Sequence, residues 1–444
     1  MTKKILLVAF AGLFVLPSFA PANGLNLNGL GSRAQGMGNA FVSIADDFSA
    51  VFWNPAGAAG FKQTTFGFFA GDLMPRTTYR FLIPEMSAEP FVDAKTKISH
   101  YLSFLAGYYK PIGDMIVLGL GIGTPSAQGV LWSGSDFSPL SNDVAYDWSS
   151  RIYMFTFTPM AAVKISDAIS FGAALNINYG NWNRKLPGGS VILPTALGGA
   201  AVPLVMAPAP VDAGQYEELM NGWGIGVTLG LKIKPLDRLS VGLTVRTPST
   251  VNFDGTASLS NLTLYGLPDS SGIERKLTWP LGIAGGVSFR PIDRLLLSAD
   301  VQWTQWSKLV ALRTTLANPV WAQLVDDLEP GRVTQSLNWR DTTQIRFGAE
   351  FALNPTTAFR AGYYRDPASG PDSAIDLSTR IDVLLPTFTG DAFTIGLGKT
   401  FGGLQLDFGL EYLAGHKRLD TPIFTSYIST IRAVVPSVSA SYKF

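Results

Sequence analysis

Apolar residues recur at every second position through most of this chain. From Leu404, one parity reads Leu404, Leu406, Phe408, Leu410 and Tyr412, and the other reads Gln405, Asp407, Gly409 and Glu411. Ile345, Phe347, Ala349, Phe351 and Leu353 alternate with Gln344, Arg346, Gly348 and Glu350. Leu295, Leu297, Ala299, Val301 and Trp303 alternate with Ser298, Asp300, Gln302 and Thr304. Residues 171–179 and 223–233 set large apolar residues against Gly, Asn and Thr in the same way. Side chains on a strand point alternately to its two faces, so this period predicts strands with one apolar face and one polar or small face.

Two architectures produce such strands. In a soluble sheet the apolar face points inward; in a membrane barrel it points out to lipid and the polar face lines the lumen. Three features favour the membrane. The runs often reach ten residues or more, against about 5–6 for most strands. Their polar faces are rich in Gly and carry charges of both signs, among them Lys232, Arg246, Asp300, Arg346, Glu350, Arg360, Asp407 and Glu411. Trp148, Tyr179, Trp223, Trp279, Trp303 and Trp339 sit near run ends, where a membrane barrel carries interfacial aromatics.

The connections alternate in length. Pro111-Ile112-Gly113, Ser166-Asp167, Pro235-Leu236-Asp237, Pro291-Ile292-Asp293, Asn354-Pro355 and Gly402-Gly403 read as tight turns. Between them lie long segments near 71–96, 125–147, 182–220, 250–275, 309–337, 367–389 and 415–430. Short turns at one end and long loops at the other mark an outer-membrane barrel, and counting the runs gives about 14 strands, an even number as such barrels require. The last run closes on Phe444, which resembles the C-terminal signal of proteins inserted by the outer-membrane assembly machinery. The predicted fold is an all-β transmembrane antiparallel barrel over residues 63–444.

Composition removes alternatives. Charged residues are 15% of the 444, below the roughly 25% of soluble domains. Mean hydropathy is +0.21, yet no run approaches the ~20 apolar residues of a membrane helix. A net charge of +1 offers no basic patch for nucleic acid. The absence of Cys excludes disulfides, thiolate metal sites and a Cys nucleophile. His100 and His416 are the only imidazoles, so neither a metal nor a cofactor is expected. Lys3 and Lys4, the apolar residues 5–16, Pro17 and small residues after it have the form of a secretory signal. Residues 1–22 are read as that signal, with cleavage after Ala22 or, alternatively, after Ala20.

Residues 23–62 break the pattern. They are rich in Gly, Ala and Asn and show neither strand alternation nor a helix of globular length. Such a segment needs a container, and a plug, or hatch, inside the barrel lumen is the predicted arrangement. Its charges, Arg33, Asp46 and Asp47, are placed to pair with charges on the wall. A nucleotide-binding loop at residues 31–38 is excluded, because it lacks Lys-Ser/Thr and neither follows a strand nor opens a βαβ unit.

The hatch stretch 29–40, with Ile44-Ala45-Asp46-Asp47 and Asn54-Pro55-Ala56, resembles the start of the FadL family of outer-membrane long-chain fatty acid transporters. A weaker likeness continues through Asn221-Gly222-Trp223-Gly224 and Thr304-Gln305-Trp306-Ser307. The resemblance implies a hatch in a 14-stranded barrel, with Asn54, Pro55 and Ala56 as the element whose rearrangement opens it. It also implies a third strand kinked so as to leave a gap in the wall. Gly119, Gly121 and Gly123, followed by Pro125, occupy the matching position. Read without the resemblance, they make a Gly-rich strand with a bulge or a close backbone approach.

The expected function is passive outer-membrane transport of hydrophobic small molecules, with lateral exit through the wall. Long-chain fatty acids come first and monoaromatic hydrocarbons second, since the family includes both. Val202, Leu204, Val205 and Met206 lie in an unusually apolar external loop, either a groove that captures the ligand or a short helix over the barrel mouth. Arg346 and Lys308 are candidates for a ligand carboxylate, the latter only if its strand runs that far. An open aqueous porin is the alternative of another class, and residues 23–62 argue against it. A hydrolase would need a base, and His100 and His416 have no evident partners. The expected partners are the ligand, outer-membrane lipid and lipopolysaccharide, and the assembly machinery; a monomer is expected.

Overall fold

The computed structural model describes residues 24–82, 89–191, 211–324, 332–370, 383–420 and 426–444. The signal at 1–22 and the apolar loop residues Val202, Leu204, Val205 and Met206 lie outside them. The alternating runs form an antiparallel sheet that closes on itself with 14 strands. These are β1 (Thr65–Leu82), β2 (Tyr101–Ile112), β3 (Ile116–Leu131), β4 (Ser149–Lys164), β5 (Ile169–Pro187) and β6 (Gln215–Leu236). Four interrupted strands follow: β7 (Leu239–Arg246, then Ser249–Leu259), β8 (Ser270–Trp279, then Gly282–Ile292), β9 (Leu295–Thr304, then Ala311–Leu316) and β10 (Arg332–Ser336, then Thr342–Asn354). The last are β11 (Thr357–Asp366), β12 (Thr389–Phe401), β13 (Leu404–Asp420) and β14 (Ser426–Lys443). β1 pairs with β14 from Thr65–Lys443 to Leu82–Ser426 and closes the barrel. Closure satisfies backbone groups that lipid cannot.

The period-two reading holds in the lower half. Phe66, Phe68, Leu118, Leu120, Ile122, Leu243, Ile395 and Phe408 are exposed on the outer face, where they meet lipid. The wall charges of the opposite parity turn inward, and Lys232, Asp300, Arg346, Arg360, Asp407 and Glu411 are buried. All six tight turns fall where the sequence places them, two of them closed by Gly113 and Gly402 at positive φ.

The upper half differs. The strands run on into the long segments: β5 reaches Pro187, β6 starts at Gln215 and β7 continues to Leu259. β7 to β10 are all interrupted between their two pieces, at 247–248, 280–281, 305–310 and 337–341. In β7, β8 and β10 the break exchanges the two faces, as any odd offset in a strand must. In β8, Ile273, Leu277 and Trp279 are buried above the break, whereas Ala284 and Ser288 are buried below it. The upper pieces thus build their own interior from Trp182, Phe253, Leu277, Leu312 and Leu316. This corrects part of the aromatic reading. Trp223 is 62% exposed, as an interfacial residue should be, but Trp148, Trp279 and Trp339 are 2%, 5% and 5% exposed.

Residues 24–64 run inside the barrel. They form two short helices, α1 (Ser32–Gly36) and α2 (Ala50–Trp53), and a 3-10 turn, Pro55–Gly60. Glycines on wall and hatch let the backbones meet. A Cβ on Gly348 would stand 2.4 Å from Met37 O, and one on Gly172 would stand 2.4 Å from Ala56 N. The Gly-rich inner face of the wall is therefore the space that the hatch occupies.

Candidate functional site

Four sets of contacts fix the hatch. On the turn side, Arg33 Nε donates to Glu350 at 2.8 Å and its Nη1 reaches Asp46 at 2.5 Å. Arg360 joins Glu350 and Asp407, each at 2.7 Å, so hatch and wall share one charge network. The two hatch carboxylates differ. Burial pushes Asp47 above the usual carboxylate range. Burial acts the same way on Asp46, but the Arg33 guanidinium and the Lys232 ammonium outweigh it and hold that group below the range.

The second set is the Asn54 turn. Asn54 Oδ1 accepts from Ala56 N at 3.1 Å, while Nδ2 donates to Val42 O at 2.9 Å and to Leu231 O of β6 at 3.1 Å. Asn54, Pro55 and Ala56 are buried and seated against Gly172 and Gly230. The third set joins α1 to β14: Ser32 Oγ lies 3.0 Å from Ser439 Oγ.

The fourth set concerns the strap at residues 24–29. Leu27 N–H donates to Pro125 O at 2.9 Å and Gln128 Nε2 donates to Asn26 O at 3.0 Å, both on β3. Asn28 Nδ2 donates to Tyr364 Oη at 3.0 Å and to Asp366 at 2.9 Å, and its Oδ1 accepts from Gln344 at 3.0 Å. The strap therefore spans the lumen from β3 to the β10–β11 wall. Cavities lie on both sides of it, and Asn26, Leu27 and Asn28 line both.

The outer cavity is mostly apolar, with Phe69, Leu73, Leu384, Phe388 and Leu413 in its lining, Asp366 and Glu411 as its acids, and, among the described residues, no Lys or Arg. The inner cavity is amphipathic. Leu30, Leu105, Met154 and Trp279 form its apolar side, and Asn176, Asn178 and Thr228 are among its polar residues. Two guanidiniums face it, Arg246 and Arg346. Arg346 donates to Asn39 O at 3.1 Å and to Gln344 at 2.5 Å, and sits 5.4 Å over the Trp53 ring. Arg246 donates to Phe52 O and lies 4.8 Å over the Phe52 ring. Neither has an ion-pair partner among the described residues. Sequence parity places both arginines in the lumen and singles out only Arg346. Lys308 lies in a 3-10 turn beyond the end of the lower β9 strand, exposed and lining neither of these cavities.

The inner cavity abuts an interruption in the wall. β2 and β3 pair from Ile112–Ile116 only as far as Leu105–Gly123. The β3–β4 register then shifts between Gly123 and Ser126, a bulge at Thr124-Pro125. Pairing beside β2 resumes only at the Thr96–Trp132 bridge. Leu105, Ile122, Gly123 and Pro125, which flank the break, line the inner cavity. Gly119 and Gly121 lie below it. A Cβ on Gly121 would stand 2.9 Å from the Val51 side chain, so that glycine makes room for the hatch. Among the described residues no group of His, Asp or Glu is arranged to hold a metal.

Residues 13–424 match the family of outer membrane protein transport proteins described as OMPP1/FadL/TodX. Solved structures with the same fold include a Pseudomonas aeruginosa FadL homologue, at 17% identity, 95% of this chain, 100% of that chain and a TM-score of 0.74. The Ralstonia pickettii toluene transporter TbuX matches at 20% identity over 94% of this chain and 99% of its own, with a TM-score of 0.67. The Pseudomonas putida toluene transporter TodX matches at 18% identity over 95% and 99%, with a TM-score of 0.69. No curated protein matches the sequence.

Proposed function

This chain belongs to the outer-membrane OMPP1/FadL/TodX family of transporters of hydrophobic compounds, and we propose that the compounds it carries are long-chain fatty acids. The observation that carries the reading is the inner cavity, where two guanidiniums that form no ion pair within 4.0 Å among the described residues face an apolar wall of Leu105, Met154 and Trp279, although Asp300 stands opposite Arg346 across the sheet. A carboxylate with an acyl tail matches both halves, since a guanidinium and a carboxylate form strong charge-assisted hydrogen bonds. A neutral hydrocarbon would add no acceptor for the guanidiniums.

In this proposal the ligand is captured at the apolar external loop, collects in the outer cavity and crosses the strap into the inner one. It leaves sideways through the β2–β3 break into the bilayer. In place of the rearrangement of Asn54, Pro55 and Ala56 that the resemblance implies, the strap moves while those three residues anchor the rest of the hatch, and no energy source is required. The outer cavity favours a second reading. Its apolar lining, with no cation among the described residues, suits a monoaromatic hydrocarbon, the cargo named for the two toluene transporters of like fold.

Uptake separates the two. A bacterial strain lacking its own fatty acid porter is complemented with this gene and offered labelled oleate or labelled toluene. Oleate uptake is expected. Toluene uptake alone transfers the proposal to the second reading, and leakage of small hydrophilic solutes without either would sink both.

A further inference from the structure

The outer face of the β14–β1 seam becomes cationic where its apolar surface ends. Outward positions on β1 run Phe66, Phe68, Ala70, Asp72 and Met74, and then reach Arg76. On β14 they run Tyr442, Ala440, Val438, Pro436 and Val434, and then reach Arg432. Asp72 is held by His100, whose Nδ1 lies 2.6 Å from its Oδ2. Eleven residues beyond Thr65, at ~2.5 Å of height each for a tilted strand, put Arg76 about 28 Å above the tight turns. That is the upper edge of the ~25 Å apolar band of an outer-membrane barrel.

The register makes these cations neighbours. Arg76 stands directly opposite Arg432. On its other side β1 pairs with a short strand, Val92–Lys95, with Thr78 opposite Lys95. Continued two residues, and fixed by Thr96 N–H donating to Thr77 O at 3.0 Å, the same register sets Lys97 beside Arg76. Arg432, Arg76 and Lys97 thus form one cross-strand row, with Lys95 next to it, and all four are exposed. None has an ion-pair partner among the described residues. The acid on the short strand, Asp93, is already engaged by Arg80 at 3.2 Å.

Directly opposed like charges, with Cβ atoms about 4.5–5.5 Å apart, destabilise a sheet. A row of three requires an anion to answer it. We propose that this row binds the phosphate of an outer-leaflet glycolipid. A phosphate presents several acceptor oxygens to the arginine forks, and the apolar strip of Val434, Met74 and Val438 directly below would carry the acyl chains. The row faces away from the lumen, outside both cavities assigned to the transported ligand. Lys97 N–H also donates to Leu131 O at 2.8 Å, where the wall recloses above the β2–β3 break. The bound lipid therefore stands over the top of that break.

The test uses the purified full-length mature barrel in neutral detergent. Bisphosphorylated lipid A, dephosphorylated lipid A or inorganic phosphate is added, and native mass spectrometry and thermal melting are read. Wild type is expected to retain the phosphorylated lipid and to melt higher with it. Arg76→Gln with Arg432→Gln should bind it about tenfold or more weakly, from loss of charge-assisted bonds. Without lipid that double variant should melt at or above wild type, because the repulsion is gone; heat-modifiable gel mobility confirms that it is folded. Lys276→Gln, which removes an exposed cation outside the row and leaves the Arg80–Asp93 pair intact, should bind as wild type. Equal retention of dephosphorylated lipid, equal binding by the double variant, or full replacement of the lipid effect by inorganic phosphate would each overturn the proposal.

Discussion

Arg246 and Arg346 make the inner cavity chemically selective, and the selectivity can be measured one residue at a time. Each guanidinium is held by a hatch carbonyl and an aromatic ring rather than by a carboxylate. Removing a hydrogen bond to a charged group costs ~1.5–3 kcal/mol. Arg246→Gln is therefore expected to lower oleate uptake about tenfold or more while leaving uptake of toluene, if any, within about twofold. Equal loss for both cargoes would mean that the residue only supports the hatch. Gly38 tests the hatch itself. Its φ is +60°, and an added Cβ would lie 2.4 Å from Phe347 O and 2.6 Å from Tyr363 N. Gly38→Ala should cost about 1–3 kcal/mol of hatch seating, read as trypsin cleavage at Arg33 in a barrel that still shows folded gel mobility. Parity alone assigns the wall charges to the lumen. Which of them lacks a counter-charge depends on where the hatch backbone turns back, and the alternation along a strand carries no information about that.

β3 carries the break in the wall, and a single extra residue against β4 lies beside it. Gly123 pairs with Thr156 but Ser126 with Met154, so one residue is in excess between them. Deleting Pro125 should restore the ladder, extend β2–β3 pairing past Leu105 and close the lateral path. Uptake is expected to fall to background while gel mobility and outer-membrane level stay normal. Undiminished uptake would show that the exit lies elsewhere. The neighbouring glycines make this strand conspicuous in the sequence, but for another reason: Gly121 clears Val51 of the hatch, and the shift follows at Thr124-Pro125. The lower strands are legible because lipid demands an unbroken apolar parity. Above the membrane that demand lapses, and the upper pieces of β7 to β10 turn apolar residues inward instead. Trp279 and Trp339 then look interfacial by position along the chain and are interior in space.

At the scale of the whole molecule, the question is whether the hatch leaves the barrel or only its strap moves. Leaving would break the Arg33–Glu350 pair, the Asn54 bond to Leu231, and the seating of Pro55 and Ala56 at once. It would also expose buried Phe41, Phe48 and Trp53, each worth about 1.5–3 kcal/mol when buried. Moving the strap breaks far less: Leu27 N–H to Pro125 O, Gln128 to Asn26, and the bonds of Asn28. The strap is also the partition between the cavities. The chain contains no cysteine, so one engineered pair can decide the matter. Ser32 Oγ and Ser439 Oγ are 3.0 Å apart, which suits Ser32→Cys with Ser439→Cys for a disulfide bolting α1 to β14. With the bond formed, oleate uptake should stay within about twofold of the reduced protein, because a motion confined to the strap leaves those contacts and their energy unchanged. Uptake lost on oxidation and recovered with reductant would show instead that the hatch moves as a body, and the pathway would then run along the lumen rather than across the strap to β3.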